Sequence, residues 1–351
     1  MQMNLVKRQW MAPAALLACA LIAAPRARAS SCITQGQMTA AQRDALSNAA
    51  RTMVKQVQTG DVQGLQANTI PAVAADFSGI RGSAEYLKPL VQTATLTVDD
   101  LYILDASGDP AGAAHTDFFC GSPVVVATFN NLPPAMYALA IVHATGVPQP
   151  QQVSLILAKQ AGAADRWMLA GFFDKPMIEA GHDGLWYWVS ARKYAQTKMD
   201  WSAWLYYRIA SNLLAPVDFL ASPNRDKLQH ESDQVRPSNF PGDHPMTLNA
   251  GGSAFTVTTV DTTTTFGPLD LDVHYTPDPA QAAQLRDPPA ARKQVTDVMA
   301  ALLQLHPDLQ TAFHGIWVHA DQGNATLFAL ELPMTQIAAA PQPSASSSVA
   351  R

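Results

Sequence analysis

The stretch Asp270-Leu271-Asp272-Val273-His274 places two carboxylates and an imidazole at every second position. In an extended strand such residues share one face, and two carboxylate oxygens with an imidazole nitrogen make a donor set for a divalent cation. Leu269, Leu271, Val273 and Tyr275 would then point inward. The same alternation describes a strand with one wet face, and on sequence alone that plainer reading leads. His314 and His319 follow in Phe-His-Gly-Ile-Trp-Val-His-Ala, five apart, an interval that sends them to opposite faces of a strand, so no shared ligand site is expected of them. Earlier in the chain, His115, Asp117 and His143 fall on or beside predicted strands and Tyr86 on a predicted helix. Gathered in a pocket, an Asp–His pair such as Asp117 with His115 could transfer a proton, since burial and a neighbouring charge tune both groups. Surface or core polar roles are the plainer reading there too.

Several strong catalytic signatures do not occur. The chain has no G-x-S-x-G elbow, no Walker loop, no H-E-x-x-H and no G-x-G-x-x-G after a strand. The common hydrolase, kinase and dinucleotide readings lose their support, and no cofactor is expected. Asp272-x-His274 resembles the opening of a metallophosphatase motif, but the later Gly-Asp and Gly-Asn-His blocks of that family do not follow. Asn324-Ala325-Thr326 matches a glycosylation acceptor.

The densest apolar and aromatic block runs from Gly184 to Leu228. Trp186, Tyr187, Val189, Tyr194, Trp201, Trp204, Leu205, Tyr207, Ile209, Leu213 and Leu214 recur at three- and four-residue steps, which predicts two helices. The break is expected at 197–200, with Asp200 capping the second helix, and Pro216 marks its end. Tyr187, Ala191 and Tyr194, then Ala203, Tyr207 and Ala210, resemble one tetratricopeptide repeat, departing from it at Ser190 and at the placing of Pro216. A lone repeat cannot bury its own apolar faces, so flanking domains or another chain must cover it. Its rings Trp186, Tyr187, Tyr194, Trp201, Trp204 and Tyr207 are either core or a binding surface for a partner.

Around this block the pattern is α+β. Met38–Gly60 reads as an amphipathic helix capped by Thr39, with Leu46, Ala50, Met53, Val54 and Val57 on one face, and a second helix covers 82–93. Strands are expected at 96–104, 123–129, 137–144, 153–159 and 166–173, an antiparallel sheet curled over the helices. That order, with Thr59-Gly60-Asp61 leading to Leu65 and the closing Arg166-Trp167-Met168-Leu169-Ala170-Gly171-Phe172, resembles the NTF2-like superfamily over residues 38–174. The resemblance implies a cone with a pocket at its open end, used by small-molecule isomerases and dehydratases but also by domains that only bind or pair. Residues 175–183 and 224–245 read as links. A second small α+β domain follows at 246–338, with strands at 254–260, 269–275, 313–320 and 325–332 and a helix at 290–305; 339–351 is a Ser/Pro/Ala-rich tail.

The first 29 residues read as a cleavable export signal: Lys7 and Arg8, an apolar run from Met11 to Ala24, and Ala27-Arg28-Ala29. Leu16-Leu17-Ala18-Cys19 offers a competing reading as a lipoprotein box, with Cys19 lipidated. No later stretch reads as a transmembrane helix. The chain carries 23 Lys+Arg against 28 Asp+Glu; removing Lys7, Arg8, Arg26 and Arg28 gives a formal charge of −9, which argues against a nucleic-acid partner. Cys32 and Cys120 then remain, and an oxidising compartment predicts a disulfide between them. The expectation for the whole is an exported, secreted or periplasmic protein comprising a signal (1–29), an NTF2-like α+β domain (30–176), a helical hairpin (181–232) and a C-terminal α+β domain (246–338). Its leading function is non-enzymatic binding, to a protein partner or a second copy through the hairpin. The alternative is a small-molecule enzyme using the cone pocket.

Overall fold

The computed structural model describes residues 30–338 apart from 122–123, 161, 163–165 and 243, so the export signal, the choice between Ala29 cleavage and Cys19 lipidation, and the tail lie outside the described residues. The fold is α+β. The first domain runs through β1 (Ser31–Thr34), α1 (Ala40–Thr59), α2 (Val62–Ala67), α3 (Pro71–Ala74), α4 (Ser78–Val91), β2 (Thr95–Asp105), β3 (His115–Cys120), β4 (Val125–Asn130), β5 (Met136–Thr145), β6 (Gln151–Lys159) and β7 (Trp167–Pro176). Thr39 and Gln42 form a reciprocal capping box at the start of α1, and Gly60 ends the helix in the left-handed region at φ 76°.

The main sheet has the order β1-β2-β5-β6-β7, all antiparallel. Its two central strands are apolar on both sides because both faces are covered. Ala138, Ala140, Val142, Val153, Leu155 and Leu157 pack with Leu46, Met53, Val54, Val57 and Leu87 of α1 and α4. The alternate residues Tyr137, Leu139, Ile141 and Ile156 pack with Phe118 and Ala127 of the β3–β4 hairpin. That hairpin forms a separate three-stranded sheet with β10 (Leu220–Ala221). Register shifts at 98–100 in β2 and 156–157 in β6 bend the main sheet, as bulges do. Cys32 on β1 is bonded to Cys120 on β3, tying the two sheets together across 88 positions.

After the ribbon β8 (Ile178–Glu179) and β9 (His182–Asp183), helices α5 (Gly184–Gln196) and α6 (Asp200–Leu214) form the expected hairpin. Asp183 caps α5 by accepting from the Trp186 amide at 2.8 Å. The cap of α6 differs from expectation: Asp200 is the first helical residue, the capping position is Met199, and no side chain caps it. Lys198, at φ 62°, makes the turn in its place. Ala191, Ala203 and Ala210 are fully buried, and their small side chains allow the close approach of the two helices.

The first half of the segment expected as a link, 224–245, is instead a helix, α7 (Pro223–Gln234), capped by Ser222 with proline at the first turn. Glu231 of α7 accepts from both the Nε and Nη2 of Arg192 at 2.7 Å, and from Trp188 Nε1 at 2.7 Å. Such a two-pronged guanidinium–carboxylate pair fixes orientation as well as distance. Those bonds hold the Glu231 carboxyl below its ordinary range.

The C-terminal domain has β11 (Met246–Ala250), β12 (Ser253–Thr263), β13 (Asp270–Thr276), α8 (Pro279–Gln284), α9 (Pro288–Leu305), α10 (Leu309–Ala312), β14 (Gly315–Gln322), β15 (Ala325–Pro333) and α11 (Met334–Ala338). Its sheet runs β11-β12-β13-β14-β15, and β13 with β14 is the parallel pair, joined by the crossover through α9. Val295, Val298, Met299 and Leu302 of α9 share one core with Leu271, Val273, Tyr275, Ile316 and Val318, and that core includes Tyr187, Trp201, Leu205 and Tyr207 of the hairpin. The hairpin is thus covered by the C-terminal domain. Tyr206 donates to the Ala312 carbonyl at 2.6 Å, Ser202 donates to Asp308 at 2.7 Å, and Trp201 stacks on His306 at 3.9 Å. Among the described residues no helix is long and apolar enough to cross a membrane.

Replacing both Cys32 and Cys120 by serine is expected to lower stability by about 4–5 kcal/mol, the chain-entropy value for a loop of this size, read from guanidinium unfolding. Burial holds the His306 imidazole below its ordinary pKa, with Asp308 opposing. Below about pH 6.5 the unfolded chain takes up that proton first, so stability is full above this pH and declines as pH falls. A His306→Gln protein should lose part of that decline, seen as a flatter melting temperature between pH 7 and pH 5.

Candidate metal centre

The strand β13 separates its side chains cleanly. Leu271, Val273 and Tyr275 are fully buried under α9, while Asp272 and His274 face the other side of the sheet. The register sets Asp272 beside Trp317 and His274 beside His319 of β14. On β15, Glu331 lies beside Trp317. The chain therefore assembles carboxylates and imidazoles from three strands on one face.

Two groups of donors form there. Asp272, His274 and His319 make the first, and Asp270, His314 and Glu331 the second. In the first, Asp272 Oδ1 stands 3.3 Å from His274 Nε2 and 3.1 Å from His319 Nε2. A tetrahedral ion with bonds of ~2.0–2.1 Å holds its ligands about 3.3 Å apart. Asp272 Oδ1 and His319 Nε2 are buried without a hydrogen-bond partner despite this proximity. His274 Nδ1 lies 2.6 Å from Asp321 Oδ2, and Asp321 Oδ1 accepts from the Thr326 hydroxyl at 2.7 Å. A proton on Nδ1 directed at Asp321 leaves the Nε2 lone pair of His274 on the side of Asp272, the arrangement in which an outer carboxylate orients a metal-binding imidazole.

The electrostatics agree. Burial lowers the pKa of His319, outweighing the nearby Asp272 carboxylate, and so favours the neutral imidazole that can coordinate. Burial would raise Asp321, but its bonds from Thr326 and His274 prevail and keep it ionised below the ordinary range. Glu331 is raised, by burial first and then by the Asp270 charge. His274 and His319 lie parallel with ring centres 4.4 Å apart, and Trp317 packs against His319 at 4.1 Å. Phe266, from the turn between β12 and β13, meets Trp317 edge-on at 5.0 Å. Trp317 and Phe266 wall the donors on one side.

The residues singled out from the sequence fall differently. Asp270, Asp272 and His274 do not form one site: Asp272 and His274 gather His319, whereas Asp270 gathers His314 and Glu331. His314 precedes β14 rather than lying within it, so the five-residue interval to His319 carries no strand parity. His115 and Asp117 sit on β3 of the smaller sheet, where Asp117 accepts from Thr128 at 2.7 Å. His143 sits on β5 of the main sheet beside Gln152 and Asp99, and Tyr86 is 68% exposed on α4. His115 and Asp117 thus share one strand, whereas His143 and Tyr86 stand on other elements. Of the hairpin rings, Tyr187, Trp201 and Tyr207 are buried in the shared core, which removes them from any partner surface; Tyr194 and Trp204 are half-buried, and Trp186 is exposed and stacked on His182 at 3.6 Å. Asp321 and Glu331 were not singled out, and His319 was set aside with His314, although Trp317, His319 and Asp321 alternate with Ile316, Val318 and Ala320 along the strand.

No family model, curated protein or solved structure matches this chain.

An Asp321→Asn substitution leaves all three inner donors in place and removes the carboxylate behind His274. Zn2+ affinity, measured by competition with a chromogenic chelator, should fall 10- to 100-fold, and an unchanged affinity would contradict the assigned role of Asp321.

Proposed function

We propose that this protein is an exported binding protein of the envelope or extracellular space whose C-terminal domain takes a divalent transition-metal ion of the zinc type on Asp272, His274 and His319. The observation that carries the reading is the meeting of Asp272 Oδ1 with two imidazole Nε2 atoms at 3.1 and 3.3 Å, two of these atoms buried with no well-aligned hydrogen bond, while Asp321 holds the far side of His274. Two nitrogens and one oxygen suit zinc and its neighbours better than calcium or magnesium, which prefer oxygen throughout. Three protein donors leave a position for water or a bound molecule.

Export is supported by the disulfide between Cys32 and Cys120, a bond that persists in oxidising compartments. The first domain serves as a packed scaffold on this reading. Leu46, Met53, Val54, Leu87, Leu155 and Leu157 fill the space between helices and sheet, which speaks against a cone-pocket enzyme built on His115, Asp117, His143 and Tyr86. The exposed Trp186–His182 pair is the part of the aromatic hairpin left for a protein partner.

Protein purified without chelator, or titrated with Zn2+ in a calorimeter, should bind at the first site with an affinity that Asp272→Asn and His319→Ala each reduce at least tenfold while circular dichroism stays unchanged. Wild-type protein that takes up no Zn2+, or variants that bind as well as wild type, would end the proposal.

A further inference from the structure

The second donor group makes a distinct site, on residues that the zinc reading does not use. Asp270 is fully buried, yet its Oδ2 has no hydrogen-bond partner; Glu331 Oε1 is likewise buried and unpartnered. His314 Nδ1 lies 3.0 Å from Asp270 Oδ1, and one donor atom from each of the three residues falls within 4.8 Å of the others.

The backbone makes room for them. A Cβ built on Gly315 would stand 2.7 Å from Glu331 Oε1, 2.8 Å from the Leu332 carbonyl oxygen and 2.9 Å from Asp270 Oδ1, closer than real Cβ contacts come. Glycine at this position lets the Leu332 carbonyl approach and two carboxylates from neighbouring strands converge over the bare backbone of β14. Two carboxyl groups drawn together, one in a wholly buried side chain, are costly unless a cation or a shared proton lies between them, and the His314 imidazole 3.0 Å from Asp270 Oδ1 offsets part of that cost. Trp317 separates the groups: in its row across the sheet it stands between Asp272 and Glu331.

We propose that Asp270, His314 and Glu331 form a second cation site, taking a divalent ion that accepts carboxylate oxygens with one imidazole, of which Mn2+ is the probe. Its oxygen-rich donor set contrasts with the nitrogen-rich first site, so the two should differ in preference. Because His314 is half exposed at the rim while Asp270 is sealed, the ion enters past His314.

The test is equilibrium dialysis of the full exported chain against Mn2+, with bound metal measured by mass spectrometry and the Mn2+ spin resonance signal. Wild type and Asp272→Asn should both retain a Mn2+ equivalent that Glu331→Gln loses. Gly315→Ala, which puts a methyl group in the cradle, should weaken it at least tenfold. Circular dichroism establishes that each variant is folded. Should Gly315→Ala not fold, Glu331→Gln, which preserves shape, decides alone. Glu331→Gln binding Mn2+ as wild type does would overturn the proposal, and so would wild type whose only metal equivalent disappears with Asp272→Asn; the latter outcome leaves the first site standing. Loss of Zn2+ binding at the first site with Mn2+ retained would do the reverse. A Glu331→Gln protein that is more stable than wild type, with neither binding Mn2+, would show that the two carboxyls share a proton instead.

Discussion

The parallel pairing of the strand Asp270–Thr276 with the strand Gly315–Gln322 is the constraint on which the functional face depends. Its register brings His274 level with His319 and Asp272 level with Trp317, residues more than 40 positions apart in the chain. That pairing requires a crossover, since parallel neighbours cannot be joined by a tight turn. Helix α9 supplies the crossover and covers one side of the sheet with Val295, Val298, Met299 and Leu302. Packing a helix on one face thereby fixes which residues are left on the other, and the polar face follows from the apolar one.

The polar face is expensive. Asp270 is wholly buried, and four atoms on this face, in Asp270, Asp272, His319 and Glu331, are buried without hydrogen-bond partners. Desolvating such groups opposes folding even where imidazoles stand beside them, as His314 stands beside Asp270 and His274 and His319 beside Asp272. A sheet face meant only to meet water would place its carboxylates apart and exposed. The outer bonds, from Thr326 to Asp321 and from Asp321 to His274, orient the imidazole instead of relieving the inner crowding.

Much of the architecture was legible in the sequence because it was set by local periodicity. The capping box at Thr39 and Gln42, the alternation at 270–275 and the continuous apolar runs of β5 and β6 all reflect nearest neighbours on a helix or strand. The site was legible only in part. Asp272 and His274 stood out by spacing, but no local pattern joins them to His319, Asp321 or Glu331, which only the sheet order brings near. A strand–helix–strand order implies a parallel crossover, and applying that rule to 269–320 would have set β14 beside β13. The helix α7 was mistaken for a link because its surface is polar; Ser222 followed by Pro223 was the start signal, and the Arg192–Glu231 pair that anchors it is a contact across 39 positions. Three of the six hairpin rings, Tyr187, Trp201 and Tyr207, were conspicuous for the opposite reason, since they are buried in the core shared with the neighbouring domain.

The cross-link between β1 and β3 bears on the order in which the first domain matures. Cys32 leaves the ribosome 88 residues before Cys120, and its strand has a single neighbour, β2, along the rim of the main sheet. A rim strand of four residues holds few ladder bonds and frays readily. Maturation is therefore a two-ended event: the chain must deliver the smaller sheet before β1 can be latched to it, and until oxidation occurs that rim strand is held by its ladder with β2.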